Sequence, residues 1–207
     1  MTKRVPKDQI IALLCVAGAV LTRLPVLHRS VIDWDESLYY LMAAAWRAGH
    51  LPYTTIWDNK PIGIYAIFAV FQTVIPGIAA IRVAMMVFVA MLAFTVFKIT
   101  ETLTADRLAA AAAAIVLIIV SLSNDGLSSN TELFMASFTA LAMFTALTTR
   151  AWFLTGLFLG LAFMTKYVMV FEAPVIFAVL MHRHPRPRVA IAAIMGGALP
   201  LAATILL

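Results

Sequence analysis

Seven stretches of the chain are apolar on every side: Gln9 to Leu24, Ile78 to Phe97, Leu108 to Leu122, Leu133 to Leu147, Trp152 to Thr165, Tyr167 to Met181 and Val189 to Leu207. A helix that is hydrophobic all round is buried or crosses a membrane, so the pattern predicts about seven membrane spans. The fifth and sixth are the least separated. Only Lys166, Glu172 and Pro174 interrupt Ala151 to Met181, and one tilted helix is the alternative there. Between the first and second spans the period changes: Leu38, Leu41, Met42, Ala45 and Trp46 form the i, i+3, i+4, i+7, i+8 stripe of an amphipathic helix. That helix is predicted over Asp35 to Gly49, with acids at its start and Gly49 at its end. It is too short and too polar to cross, so it belongs in the interface, with Trp and Tyr at headgroup depth.

Pro61 to Ile75 is apolar but holds only 15 residues before Pro76-Gly77, where a span needs ~20. Whether it crosses decides the side of every later loop, and the distribution of Lys and Arg arbitrates. If it does not cross, nine basic residues are cytoplasmic (Lys3, Arg4, Lys7, Lys98, Arg107, Arg150, Arg183, Arg186, Arg188) and six lie outside. If it crosses, the split becomes five inside and ten outside. The non-crossing topology is therefore expected, with the N-terminus cytoplasmic and the loop from about 25 to 77 outside. Seven of the ten carboxylates then share the outer surface, leaving Asp8, Glu101 and Asp106 near the other face.

Composition agrees with a membrane protein and excludes other classes. The 207 residues are 63% hydrophobic and 12% charged, against ~45–50% apolar for a soluble domain. The net charge of +5 reads as topology rather than as nucleic-acid binding. Cys15 is the only cysteine, so no intrachain disulfide forms. Pro25 and the His28-Arg29 pair follow the first apolar run where a signal peptide would have small residues, so that run reads as an uncleaved span. There is no Ser/His/Asp set, no Gly-rich phosphate loop and no Cys/His metal spacing. No repeat or second domain is visible. The chain ends inside an apolar segment, which reads as a truncation.

Chemistry concentrates in the first loop. Asp33-x-Asp35-Glu36 crowds three carboxylates at the opening of the interfacial helix. Capping accounts for one or two of them at ~0.3–1 kcal/mol each; the alternative is a base acting on a hydroxyl, with the others orienting it or holding a divalent cation. In Trp57-Asp58-Asn59-Lys60-Pro61, the proline biases Lys60 toward extended backbone, leaving its ammonium either for a phosphate or for snorkelling at the interface. Asn130-Thr131-Glu132 opens a span, where Asn130 is expected to cap and Glu132 to stand beside the site. Lys166, after the glycine-spaced Gly156-x-x-x-Gly160 helix, is a second phosphate candidate or a span-end marker.

In order, Asp35-Glu36, Gly49-x-x-Pro52-Tyr53, Asp58-x-Lys60-Pro61, Arg82 leading a span, Thr131-Glu132, and a glycine-spaced helix ending in Thr165-Lys166 resemble the GT-C fold glycosyltransferases that use polyprenyl-phosphate sugars. The likeness is to the group containing protein O-mannosyltransferases and the lipid A aminoarabinose transferase. It implies an inner-membrane enzyme that moves a sugar, with inversion, from a polyprenyl phosphate to an acceptor hydroxyl of a lipid, glycan or protein on the outer face. By that resemblance Asp35 is the base or orients the acceptor, with Glu36 beside it. Lys60, Lys166 and Arg82 serve the donor phosphate, and Asp33, Asp58, Glu132, Tyr39 and Tyr167 support them. If a divalent metal takes part, Asp33, Asp35 and Glu36 are its ligands. The second proline that often follows the family's Lys-Pro is Ile62 here, and the family continues well beyond this length, so 1–207 is expected to be its membrane-embedded catalytic module without the C-terminal part. Two other readings compete: a transporter or flippase, whose ionisable groups belong near the midplane, and a non-catalytic fragment.

Overall fold

In the computed structural model, residues 7–30, 32–123 and 126–205 are described. Lys3, Arg4, Leu207, the side chain of Lys7 and Asp125, one of the seven carboxylates expected outside, lie beyond the described residues. The described residues form nine α-helices and no strand: α1 Lys7–Arg23, α2 Trp34–Arg47, α3 Gly63–Val74, α4 Ala79–Thr104, α5 Arg107–Val120, α6 Thr131–Thr148, α7 Trp152–Thr165, α8 Ala173–Arg183 and α9 Pro187–Ile205, with short 3-10 turns at Leu24–Val26 and Tyr167–Phe171. The all-α membrane architecture is thus present. Four helices are long and apolar enough to cross alone: α1 with its 3-10 extension, α4, α6 and α9.

The expected span Tyr167 to Met181 is not one helix. The backbone is extended at Lys166, passes through the 3-10 turn, and restarts at α8, which has only 11 residues. Pro174 suits the first turn of a helix and not its interior, so the α-helix begins around it. The alternative of one tilted helix over Ala151 to Met181 fails at the same break.

The central helix is α4, whose 26 residues are the most deeply buried and which packs against α1, α3, α5 and α6. It runs past its expected end at Phe97 and stops at Ala105, which turns left-handed at φ 55°. The core beside it is aromatic: Tyr39, Tyr65, Phe68, Phe88 and Phe134 are buried in one cluster, and the Phe88 and Phe134 rings are 4.7 Å apart. Helix α7 carries the small-residue stripe and packs on α9. A Cβ on Gly156 would come within 1.7 Å of the Ala193 carbonyl oxygen, and one on Gly196 within 2.1 Å of that of Phe153. The glycines let the two backbones touch, where dispersion and close packing hold helices together in lipid. Gly156→Leu should therefore separate α7 from α9 and abolish the monodisperse folded species in size-exclusion chromatography, whereas Gly49→Ala, with nothing within 4 Å, should leave it monodisperse despite its left-handed φ.

Helix α3 is 12 residues long, about 18 Å at 1.5 Å per residue, and does not reach across a bilayer. Its first residue, Gly63, sits against the Met164 carbonyl at the end of α7. The chain leaving it enters α4, where Arg82 meets Glu36 of α2. Both ends of α3 therefore lie at one end of the bundle, together with the starts of α2, α4 and α6 and the end of α7.

Candidate active site

Helix α2 starts where Asp33 turns extended and its carboxylate accepts from the Asp35 N–H at 3.4 Å. The second Asp33 oxygen accepts from the Asn130 side-chain amide at 2.7 Å. Asn130 occupies the cap position of α6, but its side chain makes no cap bond; it ties the α6 start to α2 instead. The buried face of α2 keeps most of the expected stripe, with Met42 buried and Leu38 and Trp46 packed against the same core, but it is turned to one flank. Glu36, Tyr39, Met42 and Ala43 turn inward, while Leu41 is 53% exposed. The cause is polar: Glu36 is drawn to Arg82 and rotates the helix with it.

Glu36 and Arg82, expected at the reaction and at the phosphate, are 0% and 1% exposed. The Arg82 guanidinium engages both Glu36 oxygens, which also accept from the N–H groups of Ile32 at 3.0 Å and Ser129 at 2.7 Å. Arg82 Nη1 further donates to the Leu127 carbonyl at 3.4 Å. Every Glu36 lone-pair direction is filled from within the protein. A buried pair of this kind costs ~3–5 kcal/mol to break by removing one partner, so it fixes α2, α4 and the segment before α6 relative to one another.

Asp35 is different. Its carboxylate is 43% exposed and stands 4.0 Å from the Lys60 ammonium, itself 25% exposed. The Tyr39 hydroxyl donates to Asp35 Oδ2 at 3.0 Å. Burial, reinforced by Asp35, pushes the Tyr39 hydroxyl well above its ordinary pKa, so it stays protonated and remains a donor. No hydrogen bond reaches Asp35 Oδ1 from the described residues. Lys60 is held through its backbone, its carbonyl accepting from Tyr53 at 2.7 Å and from Tyr65 at 3.3 Å. Tyr65 also donates to Asp58 at 2.8 Å. Burial pushes Tyr53 up to about 12, with Tyr167 and Asp58 adding to the effect. Tyr53 enters the sequence pattern only within Gly49-x-x-Pro52-Tyr53, with no role of its own, and Tyr65 not at all; the tyrosine spacing around Asp58 and Lys60 is the available signal.

Glu132 pairs with Lys166, and both Glu132 and Asp58 lie within electrostatic reach of Tyr39, while Lys60 acts on Glu132. Asp35, Asp58, Lys60, Glu132 and Lys166 thus share one end of the bundle. Next to them opens a mostly apolar groove of about 580 Å³, walled by Leu51 to Thr54, Pro61, Ile62, Phe163, Met164, Tyr167 and the last turn of α9. Tyr167 is half exposed in it and packs edge-on against Phe163, ring centroids 5.3 Å apart. Asp33, Asp35 and Glu36 do not converge: one meets Asn130, one Lys60 and one Arg82. No group of three or more His, Cys, Asp or Glu among the described residues is placed to hold a metal ion, so the trio is no ready ligand set.

Magnitudes separate the cations. Exposed ion pairs are worth roughly 0–1 kcal/mol, so Lys60 and Lys166 can exchange their present carboxylates for a phosphate, while Arg82 cannot without unmaking the buried pair.

The described residues thus form a helical, multi-pass membrane protein with an exposed carboxylate and two lysines at one end of its bundle beside an apolar groove. A family model described as dolichyl-phosphate-mannose-protein mannosyltransferase matches residues 59–207. The chain belongs to that family, which is of the GT-C type, and is a mannosyltransferase-like glycosyltransferase. No curated protein and no solved structure matches it.

Proposed function

We propose that this chain transfers a sugar, with inversion, from a polyprenyl phosphate to an acceptor hydroxyl at the outer face of the membrane. The observation that carries the reading is the 4.0 Å approach of Lys60 to Asp35, with Asp35 Oδ2 engaged by Tyr39 and neither side chain buried. Asp35 Oδ1 accepts the acceptor's proton as the acceptor oxygen bonds the sugar's anomeric carbon. The bond from that carbon to the phosphate oxygen breaks, and its electron pair leaves with the phosphate. Lys60 and Lys166 hold that developing charge, worth most where water is scarce. Glu132 keeps Lys166 in place until the donor arrives, and the groove takes the isoprenoid nearest the phosphate. Glu36 and Arg82 act by position and do not touch substrate in this scheme.

The purified chain in lipid nanodiscs, given a panel of radiolabelled polyprenyl-phosphate sugars, should move label from lipid to acceptor. In the same assay Lys60→Ala should lower kcat/KM for the donor about 10- to 100-fold, from ~1.5–3 kcal/mol for a charge-assisted contact. Movement of intact donor across a bilayer with no label leaving it would replace this reading with a transporter.

A further inference from the structure

At the far end of the bundle, the connection from α6 to α7 lies beside the connection from α8 to α9. They border an open pocket of about 520 Å³ lined by Thr148, Thr149, Arg150, His182, Arg183 and His184, with Arg150, His182 and Arg183 exposed. Arg186 and Arg188 follow immediately in the chain. Among the described residues none of these four arginines has a carboxylate partner. The acids of this end are already engaged, Asp8 and Glu101 with Lys98 and Arg107, and Asp106 with the N–H groups that start α5. Trp152 flanks the cavity, with His184 5.8 Å from its ring and the Arg188 guanidinium 5.9 Å above it. The indole N–H of Trp152 is buried without a hydrogen-bond partner.

Topology alone places positive charge at a membrane face, but it does not require the charges to gather around one pocket. Like charges gathered around a cavity repel unless an anion joins them. The depth of the cavity says which anion. Helix α6 has 18 residues, so the cavity lies about 27 Å from the Glu132 end, close to one hydrocarbon thickness of ~30 Å. That is headgroup level. From it, Ile191, Ile194 and Met195 on α9 continue as exposed apolar surface, 57%, 63% and 62% exposed, on which acyl chains can lie. Basic pockets between membrane helices are a known way to hold acidic headgroups.

We propose that Arg150, His182, Arg183 and His184 bind the phosphate of an anionic phospholipid at the membrane face opposite the Asp35–Lys60 site. The proposal does not depend on sugar transfer. The chain would be purified in detergent doped with equal phosphatidylglycerol and phosphatidylcholine, washed, and its retained lipid counted by mass spectrometry. Phosphatidylglycerol should be enriched on the natural chain, bind roughly 30-fold more weakly to Arg150→Gln/Arg183→Gln, and be regained by Arg150→Lys/Arg183→Lys, with excess inorganic phosphate unable to strip it. Equal retention of the two lipids, undiminished phosphatidylglycerol on the glutamine variant, or its displacement by inorganic phosphate would overturn the assignment. If the glutamine variant fails to fold, the lipid ratio and the phosphate competition on the natural chain decide it.

Discussion

Asp35→Asn should remove sugar transfer by roughly 10²- to 10⁴-fold, the range that a positioned general base supplies, while leaving the amount of folded protein in the membrane unchanged. The amide is isosteric and can still accept from Tyr39 through its oxygen, and the pair it gives up with Lys60 is an exposed one, worth at most ~1 kcal/mol. What disappears, in the proposed reaction, is the basic oxygen that takes the acceptor's proton. Single-turnover transfer from a radiolabelled donor, measured beside a melting curve, separates the two effects. Transfer by the variant at the natural rate would take Asp35 out of the reaction.

Arg82→Ala should fail in the opposite manner. It strands a fully buried Glu36 carboxylate, and removing one partner of such a pair costs ~3–5 kcal/mol. A loss of that size should appear as a large drop in the melting temperature of the detergent-solubilised chain, with any loss of transfer following the loss of fold. Glu36→Leu/Arg82→Met removes both charges and should recover much of the stability, because two apolar side chains leave no uncompensated ion. If Arg82→Ala melted normally but bound donor poorly, Arg82 would return to the phosphate, where the sequence reading had put it.

These two predictions mark where the sequence was and was not sufficient. The acidic cluster Asp33-x-Asp35-Glu36 drew attention to this region but could not tell its three carboxylates apart. A carboxylate's role depends on what faces it, and the partners that set these three apart come from 25 to almost 100 residues away: Lys60 for Asp35, Arg82 and the Ser129 N–H for Glu36, Asn130 for Asp33. The same limit explains the α2 face. A stripe counted on hydrophobicity alone put Leu41 inside, while the buried ion pair turned Glu36 and Tyr39 there instead. The broken segment after Lys166 is ambiguous in the sequence because one proline near a charged residue can kink a helix or end it, and only the folded backbone, extended at Lys166 and turning 3-10 before α8, shows that it ends.

By itself the sequence determined the all-helical membrane architecture, since runs of apolar residues admit few other solutions in lipid, where every backbone polar group must find its partner inside the segment. It also determined the residue types available for chemistry and, through the family match, the kind of reaction. The tertiary structure decided which ionisable groups are spent on holding α2, α4 and α6 together and which stay exposed, because the free energy of a charge is set by burial and by neighbours brought together only when the chain is folded.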